Sequence, residues 1–391
     1  SVAPLRTDLT AELLAGLVHR SLLTSSRPAR PGGRTLFRQL VPTRSHADSL
    51  LHDPERAAVA AARDDWVRCS LHAAALDGRP GQADSSAWID DNLAAVRATL
   101  SSMLIDGADP AGIALVIRLM LYWFERGQML EASRWCRAAV DRVTQGVFSG
   151  VDATLALAVD ACSRALIQDR AVVAERFAGF VETLTTPPDE LATLAGELLI
   201  LLAISAWICQ NPIAGQAAAD AAITVGDQLG EPHIAVRARA LRAMHQLIAG
   251  QAEQAVSAAA SILADPAGNE FAVFVATYTN AVAARQVGDA RAGLFWMRRL
   301  AQAHRTLAMP PSSELLENLA QILELDGSRS EAVRCYAAAA ALHSRDGLPW
   351  PRLPFSQPIV DRLRDELPTQ DFDHLWESGR RLARGEPTLL L

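Results

Sequence analysis

A short pattern that returns every 38 to 42 residues constrains the fold of this chain more than any other feature. Each copy has an apolar run, a tight polar turn and, five positions later, a residue that is small in most copies. The turns fall at Gly127-Gln128, Gln168-Asp169, Gln210-Asn211, Gly250-Gln251, Gly288-Asp289 and Gly327-Ser328. A repeat of this length is typical of a helical hairpin that stacks on copies of itself.

Two positions in each copy carry mostly small side chains, which let neighbouring helices approach closely. Five residues after the turn stand Ala132, Val173, Gly215, Ala255, Gly293 and Ala332, and seven before it stand Met120, Ala161, Ala203, Ala243, Ala281 and Ala320. The sequence therefore predicts an all-α fold, built as a superhelical array of at least six hairpins between about 110 and 343.

Composition excludes several kinds of chemistry. Half of the 391 residues are hydrophobic, which is enough for a continuous core. All 37 basic residues are arginine, so the chain offers no lysine for a P-loop or a Schiff base. A net charge of −7 gives no general attraction to nucleic acid. The sequence contains no Gly-x-Ser-x-Gly and no His-Glu-x-x-His motif, and we expect no catalytic residue, no metal site and no cofactor.

The cysteines and the hydropathy pattern bear on the compartment. Five cysteines stand far apart in apolar surroundings: Cys69, Cys136, Cys162, Cys209 and Cys335. An odd number of separated cysteines predicts buried, reduced thiols in a cytoplasmic protein. The sequence has no charged-then-apolar leader and no uncharged apolar run of ~18 residues, so we expect no membrane span.

The first segment, residues 1–52, differs from the repeats. It predicts a helix from Thr10 to Leu22, a Pro/Gly/Arg-rich loop at 27–34, a strand at 35–41 and a second helix from Pro42. A helix, two strands around a loop and another helix follow one another in the second half of a winged-helix domain. We therefore expect a small, partial winged-helix-like segment here.

The rest of the chain divides into three segments: 53–108, 109–345 and 346–391. The first predicts helices that open the array, interrupted by a linker-like loop at 76–86. The second holds the repeats. The third predicts a Pro-rich crossing at 348–354, followed by a cap of two helices near 358–366 and 370–383.

Several short stretches occur in the same order as in one protein family. They are Leu17–Leu23, Leu36–Ala47, Trp88–Arg97, Leu121–Gly127, Glu131–Trp135 and Phe372–Leu382. The first two resemble the winged helix of AfsR-type and LuxR-type bacterial transcriptional regulators (STAND ATPases), with departures at Gln39, Val41 and His46. The next three resemble the start of the tetratricopeptide-type repeats in these regulators. The last resembles the segment before their DNA-binding helix-turn-helix.

This resemblance implies a regulatory repeat region that senses a ligand or a partner. In the family, an ATPase module precedes the winged helix and an effector domain stands at one end. This sequence has neither a Gly-x-x-x-x-Gly-Lys-[Ser/Thr] motif nor a recognition helix. We therefore expect either a piece of a larger regulator or a stand-alone descendant of one.

Tetratricopeptide-type arrays bind mainly through a concave groove lined by the first helix of each hairpin. Positions three, six and ten residues before each turn predict that groove in this chain. Its main members are Leu121, Phe124, Ile204, Trp207, Met244, Tyr278 and Arg285, and its last repeat contributes the polar residues Glu317, Gln321 and Glu324. Because large apolar surfaces are rare in water, we expect the groove to be filled. The alternatives are the chain's own terminal segments, a hydrophobic small molecule and a partner peptide.

A small basic cluster in the sequence is a further candidate for binding. Arg237, Arg239 and Arg242 form a basic cluster. A solvated helix face, an acidic partner and a phosphate are the alternatives for it.

The sequence favours the sensing repeat domain of a bacterial transcriptional regulator. Such a domain would bind a hydrophobic small molecule, a protein or a peptide in its groove and shift between off and on states. The alternative is a stand-alone small-molecule-binding protein, or a recruited enzyme, of a biosynthetic cluster that uses the same helical cavity. We expect no direct contact with nucleic acid or membrane, and both a monomer and a homodimer are open.

Overall fold

The structure, a computed structural model, describes residues 7–26, 35–167, 170–188, 191–265, 269–307, 312–345, 353 and 355–384. The predicted loop at 27–34, the turn Gln168-Asp169, the side chain of Val173 and, apart from Leu353, the Pro-rich crossing at 348–354 lie outside these residues. Within them, eighteen α-helices and one pair of strands are present. The predicted all-α class is confirmed.

The N-terminal elements are α1 Thr7–His19, β1 Leu23–Ser26, β2 Leu36–Gln39, α2 Val41–Leu50, α3 Asp53–Ala73 and α4 Gln82–Ser101. Helix α1 begins before the predicted Thr10 and ends before Ser21, whose φ of 57° does not continue a right-handed helix. Strands β1 and β2 pair antiparallel, with Leu23 opposite Gln39. Pro42 lies in the first turn of α2, where its missing N–H costs no helical hydrogen bond.

The remaining helices begin after a π-helical turn at Ser102–Asp106. They are α5 Ala111–Glu125, α6 Met129–Thr144, α7 Gly150–Ile167, α8 Arg170–Thr185, α9 Ala192–Ile208, α10 Pro212–Leu229, α11 Pro232–Ile248, α12 Ala252–Ala264, α13 Glu270–Gln286, α14 Ala290–Leu307, α15 Ser313–Leu325, α16 Arg329–Arg345, α17 Ser356–Glu366 and α18 Thr369–Arg384. Among the described helices, none combines the length and the apolar character that a membrane crossing requires.

Each predicted turn within the described residues separates two helices. Gly127, Gly250, Gly288 and Gly327 end their helices with positive φ angles, and Gln210 does the same in the remaining turn. Glycine reaches this left-handed region without a clash at Cβ, which explains its recurrence at these positions.

Helices α5 to α16 follow one packing pattern. Every odd-numbered helix contacts the even-numbered helix that follows it, and it also contacts the next odd-numbered helix. Stacked hairpins produce this pattern, because the first helix of each hairpin packs on the first helix of the next. The superhelical form of the array stays a proposal.

The two small-residue positions lie at close contacts between helices. Every described residue at these positions is buried. A Cβ added to Gly215 would lie 2.0 Å from the His245 ring, and one added to Gly293 would lie 2.9 Å from Ile322. His245 and Ile322 both stand five residues before the next turn, so the same contact recurs between hairpins. The His245 ring is fixed by its Nε2, which donates to Ala203 O at 2.9 Å.

The two helices predicted for the C-terminal cap are present as α17 and α18. Helix α18 packs very closely on α16, since a Cβ added to Gly379 would lie 2.2 Å from Arg334 O. Phe372, Leu375 and Ala383 of the same helix are buried. The cap is therefore packed on the last predicted hairpin.

The cysteines are free thiols. Cys136, Cys162 and Cys335 are buried as predicted, whereas Cys69 is exposed and Cys209 is partly exposed.

Contacts between Cα atoms divide the chain into two compact units. Unit 1 comprises residues 1–73 and 87–102, and unit 2 comprises residues 74–86 and 103–391. The segment 74–86 connects α3 to α4 along the chain but belongs to unit 2 by its contacts. This division is coarser than the four predicted segments, whose boundaries stay a prediction.

Candidate functional site: a buried loop among the helices

The predicted groove residues are mostly buried within the protein itself. Leu121, Ile204, Met244 and Tyr278 are at most 5% exposed, and Phe124, Trp207 and Arg285 are partly buried. These low exposures mean that the seven residues do not line a wide, solvent-filled apolar groove. Other parts of the same chain pack against them.

The structure brings Trp207 and Tyr278 together, one from α9 and the other from α13. Their ring centroids are 5.4 Å apart. The Tyr278 hydroxyl donates to Glu314 Oε1 at 3.1 Å and accepts from Asn318 Nδ2 at 2.7 Å. Burial raises the pKa of Tyr278 well above its usual value, and the nearby Glu314 carboxylate adds to the effect. This phenol is therefore a neutral, internally satisfied group of the core.

The chain's own C-terminal segment covers the polar end of the predicted groove. Phe355 lies against Arg285, with its ring centroid 4.6 Å from the guanidinium carbon. Leu353 N donates to Glu317 Oε2 at 3.0 Å, and Ser356 Oγ donates to the same oxygen. Contacts of this kind are what self-occupation, one of the three alternatives drawn from the sequence, predicts; the groove itself stays a prediction.

The segment 76–86, which the sequence predicted to be a linker, also packs partly inside the protein. That prediction is wrong in two respects. Helix α4 already begins at Gln82, and Leu76, Asp77 and Gly78 are buried in unit 2. The main chain of a linker would be hydrated, whereas the loop Leu76–Arg79 is held by groups from three helices.

The start of α13 holds the main chain of this loop. Asn269 Nδ2 donates to Asp77 O at 2.7 Å, and Glu270 N donates to Gly78 O at 2.8 Å. Asn269 Oδ1 at the same time caps α13 by accepting from Phe271 N at 3.0 Å. Gly78 has a φ of +81°, and a Cβ here would lie 2.1 Å from Asn269 Oδ1. Only glycine fits this position.

A buried ion pair on the neighbouring helices lies close to the loop. Arg237 of α11 is 1% exposed and donates through both terminal nitrogens to Glu197 of α9, with Nη1 3.0 Å from Oε2. A two-point pair of this kind is both strong and directional. Of the basic cluster noted in the sequence, Arg239 and Arg242 lie on the surface, paired with Asp227 and Asp220. The solvated-face interpretation is therefore wrong for Arg237.

The Asp77 carboxylate faces basic groups on two sides. Its Oδ2 lies 3.3 Å from His233 Nε2, and its Oδ1 lies 2.8 Å from Arg79 Nε. Burial by itself raises the pKa of Asp77, but the charges of Arg237, Arg79 and His233 outweigh burial and lower it below the ordinary value. Asp77 is therefore an anion at neutral pH, stabilised by the residues around it.

On the other side of the loop lies a buried carboxyl group. Gln82 Oε1 accepts from Gly78 N, and Gln82 Nε2 donates to Glu125 Oε1. Burial raises the pKa of Glu125 to about 8, against the opposing effects of the Gln82 hydrogen bond and the Arg126 charge. Glu125 is thus a mostly protonated acid at pH 7. The side-chain amide of Gln82 links it to the loop.

Three of these side chains have the spacing of a cation site. The ligand atoms of Asp77, Glu197 and His233 lie within 4.8 Å of one another. However, both Glu197 oxygens already accept from Arg237, and a divalent cation beside a buried guanidinium would be repelled. The arginines supply the positive charge that the two carboxylates need. The arrangement therefore suits an ion-pair network better than a metal.

An apolar cavity of about 390 Å³ lies elsewhere, between α7, the end of α8 and the start of α9. Its apolar lining includes Val151, Leu155, Leu184, Pro187, Pro188 and Leu191. None of the seven predicted groove residues lines it. Its volume is large enough for a small apolar molecule.

Comparison of this chain with protein-family models, with curated proteins and with solved structures gives no match. The resemblance to AfsR-type and LuxR-type regulators consequently rests on the short stretches described above and stays a prediction.

Sequence reasoning missed most of the residues around the loop. Glu125, Glu197 and His233 are polar residues near or within apolar helical runs, and that position was the available signal. Asp77 and Gly78 looked like ordinary turn residues. Their partner Asn269 is 192 residues away, a distance that no local pattern spans.

Proposed function

We propose that this chain is the sensing repeat region of a bacterial transcriptional regulator of the AfsR/LuxR type, working in the cytoplasm. Its helical hairpins would form a superhelical array whose interior is closed by the chain's own segments. The order of the family-like stretches along the sequence supports this proposal, and so does the packing of successive helices.

The observation that carries the proposal is the position of the loop Leu76–Arg79. Along the chain, this loop leads from α3 to α4, whose larger parts belong to unit 1. By its contacts, it is held at α11 and α13 of unit 2. Any ligand or partner that shifts these helices would therefore act on the loop that they hold. A sensing domain needs such a link between the site that binds and the part that responds.

The experiment is a transcript comparison in the source bacterium. We expect deletion of the gene to change the transcripts of a defined set of genes, and complementation with the wild type to restore them. Arg237→Gln, which removes the guanidinium paired with Glu197, should not restore them at equal protein abundance. Arg239→Gln is the matched control, because Arg239 is an exposed arginine two residues away. Identical transcripts in the deletion and the wild type would refute the regulatory function.

The cavity between α7 and α9 favours a second candidate, a small-molecule-binding protein. Its volume of about 390 Å³ lies within the usual range of ligand sites. A panel of apolar natural products should then raise the melting temperature, and Val151→Phe should abolish the rise by filling part of the cavity that Val151 lines. Val147→Phe, on the exposed stretch before α7, should leave it unchanged. No rise beyond ~1 °C across the panel would exclude this function.

A further inference from the structure

Two contacts of the loop Leu76–Arg79 with distant helices are of the kind that holds a bound peptide. Its main-chain carbonyl oxygens accept from Asn269 and from Glu270 N, both at the start of α13. Helix starts offer free N–H groups and bind carbonyl or anionic oxygens readily. These two contacts depend on the backbone shape of the loop, not on its continuity with the rest of the chain.

The two charged residues on either side of Gly78 have different surroundings. Asp77 faces His233 and the charge of Arg237. Arg79 is exposed, and its Nε lies 2.8 Å from Asp77 Oδ1, within the loop itself. The surface under the loop is therefore basic where the loop is acidic, and Arg79 takes no direct part in the contact.

His233 contacts carboxylates through both of its ring nitrogens. Its Nε2 lies 3.3 Å from Asp77 Oδ2, and its Nδ1 lies 3.1 Å from Glu231 Oε2. Next to Asp77, Gly78 fits against Asn269 with no room for a side chain. The surface thus selects two features in order: an acidic residue and a glycine with positive φ.

We propose that α11, α13 and their neighbours form a peptide-binding site for an Asp-Gly turn, that the loop Leu76–Arg79 occupies it as an internal ligand, and that a partner protein with such a turn competes for it. This inference rests on the proposed function of the chain as a sensing module and names the class of partner. The loop is part of the same chain, so its effective concentration at the site is on the order of millimolar. A free peptide must compete with it and binds only when the loop has left the site.

The experiment measures binding of a fluorescent synthetic peptide with the sequence of residues 74–86. The binding protein is the full chain carrying Gly78→Ala, which places a Cβ 2.1 Å from Asn269 Oδ1 and expels the loop. The matched control is Gly81→Ala. Gly81 also has a positive φ, of +96°, but a Cβ there meets nothing within 4 Å. The control therefore separates the contact with Asn269 from backbone strain alone.

Release of the loop is measured independently by brief chymotrypsin digestion and mass spectrometry. The Leu76–Asp77 bond is buried in the wild type, so cleavage after Leu76 reports an expelled loop. We expect this cleavage in Gly78→Ala and its absence in the wild type and in Gly81→Ala. Should Gly78→Ala fail to fold, Asp77→Asn replaces it, because it removes the charge facing His233 without adding volume.

The expected result is that the peptide binds Gly78→Ala at least tenfold more tightly than the wild type or Gly81→Ala. The same peptide with Asp77→Asn or Gly78→Ala should lose at least tenfold in affinity. Equal binding to all proteins overturns the proposal, as does no binding to a variant whose loop is cleaved. A variant whose loop stays uncleaved overturns it too. Because the peptide assay uses purified protein and the transcript assay does not, each can fail while the other succeeds.

Discussion

Glu125 makes the stability of this protein depend on pH in a direction opposite to that of most carboxylates. Burial raises the pKa of Glu125 from 4.5 to about 8. Below pH 4.5 the group is protonated in both the folded and the unfolded chain. Between those pH values the unfolded chain releases the proton and the folded chain keeps it, so the free energy of unfolding falls as the pH rises.

The size of the effect follows from the shift in pKa. Each pKa unit corresponds to about 1.4 kcal/mol, so the full loss between pH 4.5 and 8 is about 5 kcal/mol. Glu125→Gln removes the titration and keeps an oxygen that accepts from Gln82. The variant should therefore have nearly the same melting temperature as the wild type at pH 5. At pH 8.5 its melting temperature should be higher by about 5 °C or more.

The assay is a series of thermal melts, followed by circular dichroism from pH 5 to 8.5. Glu253→Gln is the control, since Glu253 is exposed on α12 and loses little by the same change. If the Glu125→Gln difference is constant from pH 5 to 8.5, or shrinks as the pH rises, then Glu125 is not a buried acid and this description of the loop contact is wrong.

Two further predictions concern packing. Gly215→Ala drives a Cβ into the His245 ring and should lower the free energy of unfolding by about 1–3 kcal/mol in thermal melts. Burial keeps this ring neutral by lowering the pKa of His245 to about 4. The control is Gly179→Ala, on an open helix face, which should raise the free energy of unfolding by about 0.5–1 kcal/mol. Equal effects at the two glycines would contradict the close contact between Gly215 and His245. Ser356→Ala removes one hydrogen-bond donor from the buried Glu317 and should lower the free energy of unfolding by about 1–3 kcal/mol. Hydrogen exchange in α17 should become faster. An unchanged exchange rate would contradict the contact between Ser356 and Glu317.

The repeats could be predicted from the sequence because their signal is local and recurs. Gly127 and Gly250 mark turns, and Gly215 and Gly293 mark close contacts a fixed distance beyond a turn. A helical hairpin buries residues that are near one another along the chain, so periodicity is enough to locate the buried positions. This explains why the all-α class and both small-residue positions could be predicted.

The candidate site could not be predicted, because its contacts join distant parts of the chain. Asp77 contacts Asn269, and Gln82 contacts Glu125, across helices whose relative positions no local pattern reveals. The sequence Leu76–Arg79 has the composition of a solvated turn, which produced the linker prediction. Arg237 was judged with Arg239 as a surface cluster, although neighbouring residues on a helix point in different directions.

Hydrogen exchange of the wild-type protein, followed by mass spectrometry, tests the central claim most directly. The amide of Gly78 donates to Gln82, and that of Glu270 donates to Gly78 O, so both depend on the buried loop. If the loop is held in unit 2, the amides of Gly78 and Glu270, followed in peptides covering residues 74–82 and 269–272, should exchange as slowly as the interior of α13. Complete exchange of residues 74–82 within seconds at neutral pH would show that the segment is an open linker, and it would contradict both the site and the proposed function.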